Sequence, residues 1–299
     1  MNFGEIVKKV EETKDLTLDE LFDLWKEAQA VEERWEKTTV SGEYSDEFRT
    51  HFTKDGIIDP DAYARSEYKV LVVLKEPNLE GKEKDFFARE DDHRVFYNIF
   101  VNAEYSNDLK GFINSNKESG DDIDNDVHQK ELIGRMAFSL QNLLRTKKLT
   151  EENPSASQIQ KALKSTAVIN LNKRGGKQST NKGTLHKYCK KYVPFIRREI
   201  EIIRPDIVVW CAWKSLEHGG YIPENIPVID MYHTAYVRMP NELPELLKAC
   251  GNSQLNQVLK KLESNVADSQ IAYNRHVAKY MLVFRERVRE ALEEGKLKL

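Results

Sequence analysis

A carboxylate at the end of one apolar run, an amide at the end of a second and an imidazole just past a third are the groups in this sequence best placed for chemistry. The carboxylate is Glu76, within Lys69 to Asn78, KVLVVLKEPN. Residues 70–74 are an unbroken apolar run, as in a strand buried on both faces. Pro77 cannot donate to a sheet ladder, so the strand stops there. Glu76 is thereby presented at a carboxyl end, where open α/β sheets bind ligands. Asn170 closes the run TAVIN, and His233 follows PVIDMY. A carboxylate and an imidazole can move protons, and an amide offers one donor and one acceptor edge. Singly, each has a structural alternative. Glu76 could be a solvated carboxylate after a proline turn, or an ion-pair partner of Lys75 or Arg174. Asn170 could order a loop, and His233 could sit in a turn.

Strands over 70–74, 166–171, 207–212 and 227–231, separated by helical segments, predict a parallel sheet built from crossover units. Its carboxyl ends converge on one rim, so Glu76, Asn170 and His233 can share a cleft although they are far apart in sequence. The expected fold is a three-layer α/β/α arrangement with a short parallel sheet of about four strands. A helix over 185–203 carries Tyr188, Tyr192, Phe195, Ile196 and Ile200 on one side, and Pro205 ends it. Leu18, Leu21, Phe22, Trp25, Ala28 and Val31 mark an N-terminal helix, with Thr17 and Glu20 as its capping box. Leu132, Met136, Leu140, Leu143 and Leu144 mark another helix, and Val277, Met281, Phe284, Val288 and Leu292 a C-terminal one. The polar stretch 114–130 reads as a loop. Its acidic run from Asp121 to Asp126 lacks the glycine and the twelfth-position Glu of a calcium loop. The expected division is a helical extension and lead-in over 1–65, an α/β domain over 66–250 and a helical extension over 251–299.

Composition bounds the class. Over 299 residues, 40% are hydrophobic and 32% charged, on the polar side of ordinary globular usage. No apolar run approaches the ~20 residues of a membrane span. The start, MNFGEIVKKVEETKD, has no apolar core of a secretory signal. Three widely spaced cysteines, Cys189, Cys211 and Cys250, give no zinc or iron–sulfur spacing, so a reduced, cytoplasmic protein without a metal is expected. The net charge of −3 hides an asymmetry: from Ser165 to Arg198 there are nine basic residues and no acidic one. Such a face suits phosphate binding, or is simply a solvated helix surface. The run Lys173-Arg174-Gly175-Gly176-Lys177 is not a nucleotide-binding loop, because Gln178 follows the lysine and the glycine spacing differs. It fits a basic loop close to a DNA backbone, with Lys173, Arg174, Lys177 and Lys182 as candidate phosphate contacts.

In this order the elements resemble the uracil-DNA glycosylase superfamily, over about residues 66–250. In its classical branch the first strand ends in G-Q-D-P-Y, whose Asp positions or activates the attacking water. Lys75-Glu76-Pro77-Asn78 stands in that place, with Glu76 for the Asp. The second strand ends in an Asn that reads the pyrimidine edge, and Asn170 of INLNKRGG matches. The segment YVPFIRREIEIIRPDIVVW looks like the superfamily's L-x-x-x-I-x-x-x-x-P-x-x-I-V. Tyr232-His233-Thr234-Ala235 is similar to the H-P-S motif, whose His stabilises the departing base. The departures are specific. Arg174 stands where the iron–sulfur branches place a cysteine, so no cluster and no cofactor are implied. Asn78 stands where a Tyr excludes groups on pyrimidine C5. Thr234-Ala235 replaces Pro-Ser, and the stretch between Glu76 and Leu132 is longer than in compact members.

The resemblance implies a monofunctional DNA glycosylase with Glu76 and His233 as catalytic residues. Asn170, Asn78 and Phe87 would line the base pocket, with Phe86 or Phe96 as other candidates to stack on a flipped base. The missing aromatic gate implies a bulky C5-modified pyrimidine, such as a glycosylated hydroxymethylcytosine in bacteriophage DNA. Similar bacterial members act in antiviral defence. No membrane partner is implied, and the oligomeric state stays open. Three alternatives stand beside this reading: uracil excision in repair, a non-catalytic nucleic-acid-binding module, and a nucleoside-handling α/β enzyme.

Overall fold

The computed structural model describes residues 1–31, 52–77, 92, 94, 97, 123–149, 154–174, 181–212, 216–234 and 268–298. The chain divides into two compact units, Met1–Ala103 with Lys164–Pro227, and Glu104–Leu163 with Val228–Leu299.

The first unit opens with α1 (Phe3–Glu12) and α2 (Leu18–Ala30), each started by a capping box, Asn2 with Glu5 and Thr17 with Glu20. These boxes satisfy backbone N–H groups that a helix start leaves without partners. A two-residue strand β1 (Gly56–Ile57) and the short helix α3 (Pro60–Arg65) lead into β2 (Val70–Leu74). β2 pairs in parallel with β3 (Thr166–Asn170), Val70 opposite Thr166 and Leu74 opposite Asn170. On its other side it pairs in parallel with β4 (Ile207–Trp210), Val73 opposite Trp210. β1 adds an antiparallel edge to β3, so the order across this unit is β1-β3-β2-β4. Every residue of β2, β3 and β4 is buried. Both faces of the sheet are therefore covered, as the expected three-layer α/β/α class requires. The sheet is mostly rather than purely parallel, because the lead-in contributes β1. There Gly56 takes φ 110°, and a Cβ would stand 3.3 Å from Leu18 Cδ1. At the opposite end Asp206 closes the entry to β2 and β4. Its N–H donates to the Lys69 carbonyl at 2.8 Å, and its carboxylate accepts the Lys69 N–H at 2.7 Å.

The expected helix over 185–203 is two helices, α6 (Lys182–Lys191) and α7 (Val193–Ile203), broken at Tyr192. Pro194 sits in the first turn of α7, where its missing N–H costs nothing, whereas inside one continuous helix it would remove a hydrogen bond. α7 ends at Arg204 in the left-handed region, φ 52°, directly before Pro205. α1, α2 and α7 pack on one another. Trp25 is fully buried, its ring 5.4 Å from that of Phe195 and 6.0 Å from that of Tyr192. The burial of each such side chain contributes about 1.5–3 kcal/mol. The N-terminal helices share one compact unit with β1 to β4.

The second unit holds α4 (Ile123–Thr146), most of α5 (Ala156–Lys164), β5 (Val228–Asp230) and α8 (Asp268–Glu293). α4 begins at Ile123, inside the polar stretch expected to be a loop. Once the buried turns carrying Leu132, Met136 and Leu140 are fixed, each further residue adds a helical hydrogen bond at little cost. Gly134 permits a close approach to α5, since a Cβ there would lie 2.6 Å from Ile159 Cγ2. Val277, Met281, Phe284 and Val288 of α8 are buried, and the Tyr280 hydroxyl donates to the Tyr232 carbonyl at 2.6 Å. No helix among the described residues is long and apolar enough to cross a membrane.

Candidate active site

The β2–β3 ladder continues past the strand ends. Leu171 N–H donates to the Leu74 carbonyl at 3.1 Å and Asn172 N–H to the Lys75 carbonyl at 2.9 Å. This brings Asn172 beside Glu76, and its side-chain amide donates to Glu76 Oε2 at 2.9 Å. The amide oxygen accepts the Arg174 N–H at 3.0 Å. Its orientation is set at both ends, because a carboxylate takes only the NH2 and a backbone N–H takes only the oxygen. Asn172 is buried and Glu76 half-buried, so the carboxylate is held from below at an accessible rim. The Cys189 thiol and the Lys75 ammonium feel its charge, and the Tyr221 hydroxyl feels that of Cys189. Burial, then the charge of Glu76, pushes the Cys189 thiol up. Burial pushes the Tyr221 hydroxyl up to about 12. Burial pulls the half-buried Lys75 ammonium down, against the opposing pull of Glu76 and Cys211. Cys211 caps the neighbouring strand, its N–H on the Val73 carbonyl at 2.8 Å.

Asn170 is buried one residue pair deeper. Its N–H and its side-chain amide both donate to Asp55 Oδ2, at 2.7 and 3.2 Å. Lys173, expected on a phosphate, is instead 0% exposed. Its ammonium lies 2.5 Å from Asp55 Oδ1 and 2.9 Å from Glu199 Oε1, against the rings of Trp25 and Phe22 at 5.2 and 5.6 Å. An ammonium sealed by two carboxylates and two aromatic faces offers nothing to DNA. Arg174, also expected on a phosphate, is likewise turned inward. It is 6% exposed, its guanidinium over the rings of Tyr188 and Tyr192, with Nη2 donating to the Tyr192 hydroxyl at 3.3 Å. The turn after β3 runs inward, because the carboxylates of the lead-in and of α7 need a cation. Lys182 is exposed at the start of α6. His233 belongs to the second unit, half-buried after β5. Asn78, Phe87 and Lys177 lie outside the described residues.

Sequence reasoning missed Asn172, the residue that touches the candidate carboxylate. The signal was present: residues two apart on a strand share a face, and Asn172 stands two beyond Asn170. The exposed side of α6 was also legible only in part. Lys182, His186, Lys187, Lys190 and Lys191 are all exposed, while Thr184, Leu185, Tyr188 and Cys189 are buried. No protein family, no curated protein and no solved structure matches this chain.

Proposed function

We propose that this protein is a DNA glycosylase that hydrolyses the N-glycosidic bond of a pyrimidine with the Glu76 carboxylate. The observation that carries the reading is the Asn172–Glu76 contact, an amide fixing a half-buried carboxylate at the carboxyl end of a central parallel strand. Cleavage of such a bond passes through an oxocarbenium-like sugar, which a fixed carboxylate stabilises while it orients water. Asn172 on one oxygen restrains the group in that task. The exposed α6 lysines, Lys182, Lys187, Lys190 and Lys191, supply the phosphate track in place of Lys173 and Arg174. The finer reading is a bulky C5-modified pyrimidine of phage DNA and a role in antiviral defence. It rests on the sequence resemblance and on Asn78 in the place of the aromatic gate.

The monofunctional reading expects no imine between a lysine and the abasic sugar. The test is incubation of the full chain with single- and double-stranded oligonucleotides carrying cytosine, uracil, hydroxymethylcytosine or its glucosylated form. Released bases are read by mass spectrometry, with borohydride in a parallel arm. Free modified base without a trapped adduct supports the monofunctional reading. A borohydride-trapped adduct overturns the monofunctional reading, and release of no base from any substrate overturns the glycosylase reading.

A further inference from the structure

The buried ions of the first unit have a task that the hydrolytic reading leaves unassigned. We propose that Asp55 and Lys173 form the positioning element of this site, Asp55 fixing the Asn170 amide and Lys173 fixing the turn from which Asn172 reaches Glu76, while Glu199 only balances their charge. The proposal rests on the reading of the rim as the reacting centre.

The geometry converges from three directions. Asp55, in the lead-in just before β1, spends one carboxylate oxygen on both Asn170 donors and the other on the Lys173 ammonium. Lys173 is held through its main chain as well: its N–H donates to the Tyr188 hydroxyl at 3.3 Å and its carbonyl accepts the Thr53 N–H at 2.7 Å. Gln29 of α2 steadies that hydroxyl, its side-chain amide donating to it at 3.0 Å. Asn172 lies between two residues whose backbones are both tied down, and its amide is held between the Arg174 N–H and Glu76. Asp55 acts on Asn170 directly and on Asn172 through Lys173.

Glu199 completes the charge balance. Two carboxylates around one ammonium would leave a net negative charge in a sealed interior. Glu199 Oε2 is buried and lacks a hydrogen-bond donor, while Oε1 takes the ammonium. A proton on Glu199 would supply the missing donor at that carboxyl and leave a neutral cluster. In line with this, burial and the Asp55 charge push the Glu199 carboxyl well above its ordinary range, against the pull of Lys173. Replacing a buried ion group by apolar residues is often neutral or stabilising, so stability alone does not explain the cluster, whereas a fixed geometry does.

Positioning and mere structural support differ in what each variant moves. The variants are Asp55→Asn, Glu199→Gln and the charge-neutral double Asp55→Asn/Lys173→Met. The readouts are side-chain amide signals of Asn170 and Asn172 in 15N spectra, hydrogen exchange of the Asn170 N–H, and base release. Glu199→Gln mimics the protonated acid and is expected to leave all three within about twofold. Asp55→Asn and the double variant are expected to shift both asparagine signals and to lower kcat about 100-fold, with KM for DNA nearly constant, as a displacement of ~1 Å does. Folded variants with unmoved asparagine signals and a wild-type kcat would overturn the proposal. If neither variant folds, the wild-type Asn170 N–H decides: protection equal to that of the β3 core supports the proposal, and exchange at loop rates overturns it. If the wild type releases no base, the glycosylase reading fails, while the spectra and the exchange still decide the positioning role.

Discussion

Two neighbouring strands of one sheet end in opposite ways. β2 runs out into Lys75 and Glu76, both half-buried, at a rim that solvent reaches. β3, in register beside it, runs into Asn170, Asn172 and Lys173, which are 5%, 3% and 0% exposed. A charge at the first end keeps access to a reactant. A charge at the second is committed to the protein, since an isolated buried ion is too costly to leave unpaired. Position at a strand end therefore nominates a residue for chemistry, and burial decides whether it performs the chemistry or holds the residue that does. Lys173 and Glu76 lie on opposite sides of that line, and Asn172 joins them.

The largest effect should come from breaking the sealed end. Lys173→Met leaves Asp55 and Glu199 without their cation and is expected to destabilise the fold by about 3–5 kcal/mol, read from the urea midpoint. A loss below about 1 kcal/mol would mean that the interior tolerates an uncompensated carboxylate and that the two strand ends differ less than their burial implies.

Asn172→Ala cuts the link between the two ends. Removal of a hydrogen bond to a charged group costs about 1.5–3 kcal/mol, or roughly ten- to a hundredfold in the release rate if the bond is needed in the transition state. Thermal melting should move far less than in Lys173→Met. A variant with unchanged release and a strongly lowered melting temperature would place Asn172 with the scaffold.

A smaller effect separates Glu199 from the exposed carboxylates by pH. Burial raises its folded value above the ordinary 4.5, Lys173 opposes this and Asp55 adds to it. A raised carboxyl contributes its stability in full below the unfolded value and loses it as pH rises through the folded one. From about pH 5 upward, wild type should therefore lose stability relative to Glu199→Gln, whose amide has no proton to give up. Urea midpoints of the two proteins across that range measure it, and a difference that grows in the wild type's favour would contradict the protonated cluster.

The smallest effect on turnover belongs to the surface. Changing Lys182, Lys187, Lys190 and Lys191 together to Gln should leave release from saturating DNA nearly constant. The salt dependence of binding should flatten by a slope of ~0.9 for each duplex phosphate that a lysine no longer neutralises. An unchanged slope would move the phosphate track away from α6.

Much of this was legible beforehand. The β2 run with Pro77 behind it located Glu76, and Thr17 with Glu20 gave a capping box that is present. The ion cluster was not. Asp55 sits in FTKDGII, where an acid before a glycine reads as a turn residue, and its partner lies 118 positions away in sequence. Glu199 was the readable half. It falls on the buried side of α7 with Phe195, Ile196 and Ile203, where an acid demands a cation. Pairing it with Lys173 needed the fold, because a basic run without acids looks like a surface until the chain is seen to turn inward. The break at Tyr192 was readable from Pro194, which the helical periodicity on either side concealed.

The central claim is that the open strand end performs hydrolysis, and Glu76→Gln tests it most directly. The change keeps the side chain's size and removes its charge at a half-buried position, so folding and DNA affinity should stay near wild type. Mass spectrometry of free base from the best substrate, with binding measured in parallel on the same oligonucleotide, should show retained binding and release lowered by about a thousandfold or more. Wild-type release by the folded variant would contradict the account, because the carboxylate that Asn172 holds in place would then have no part in breaking the bond.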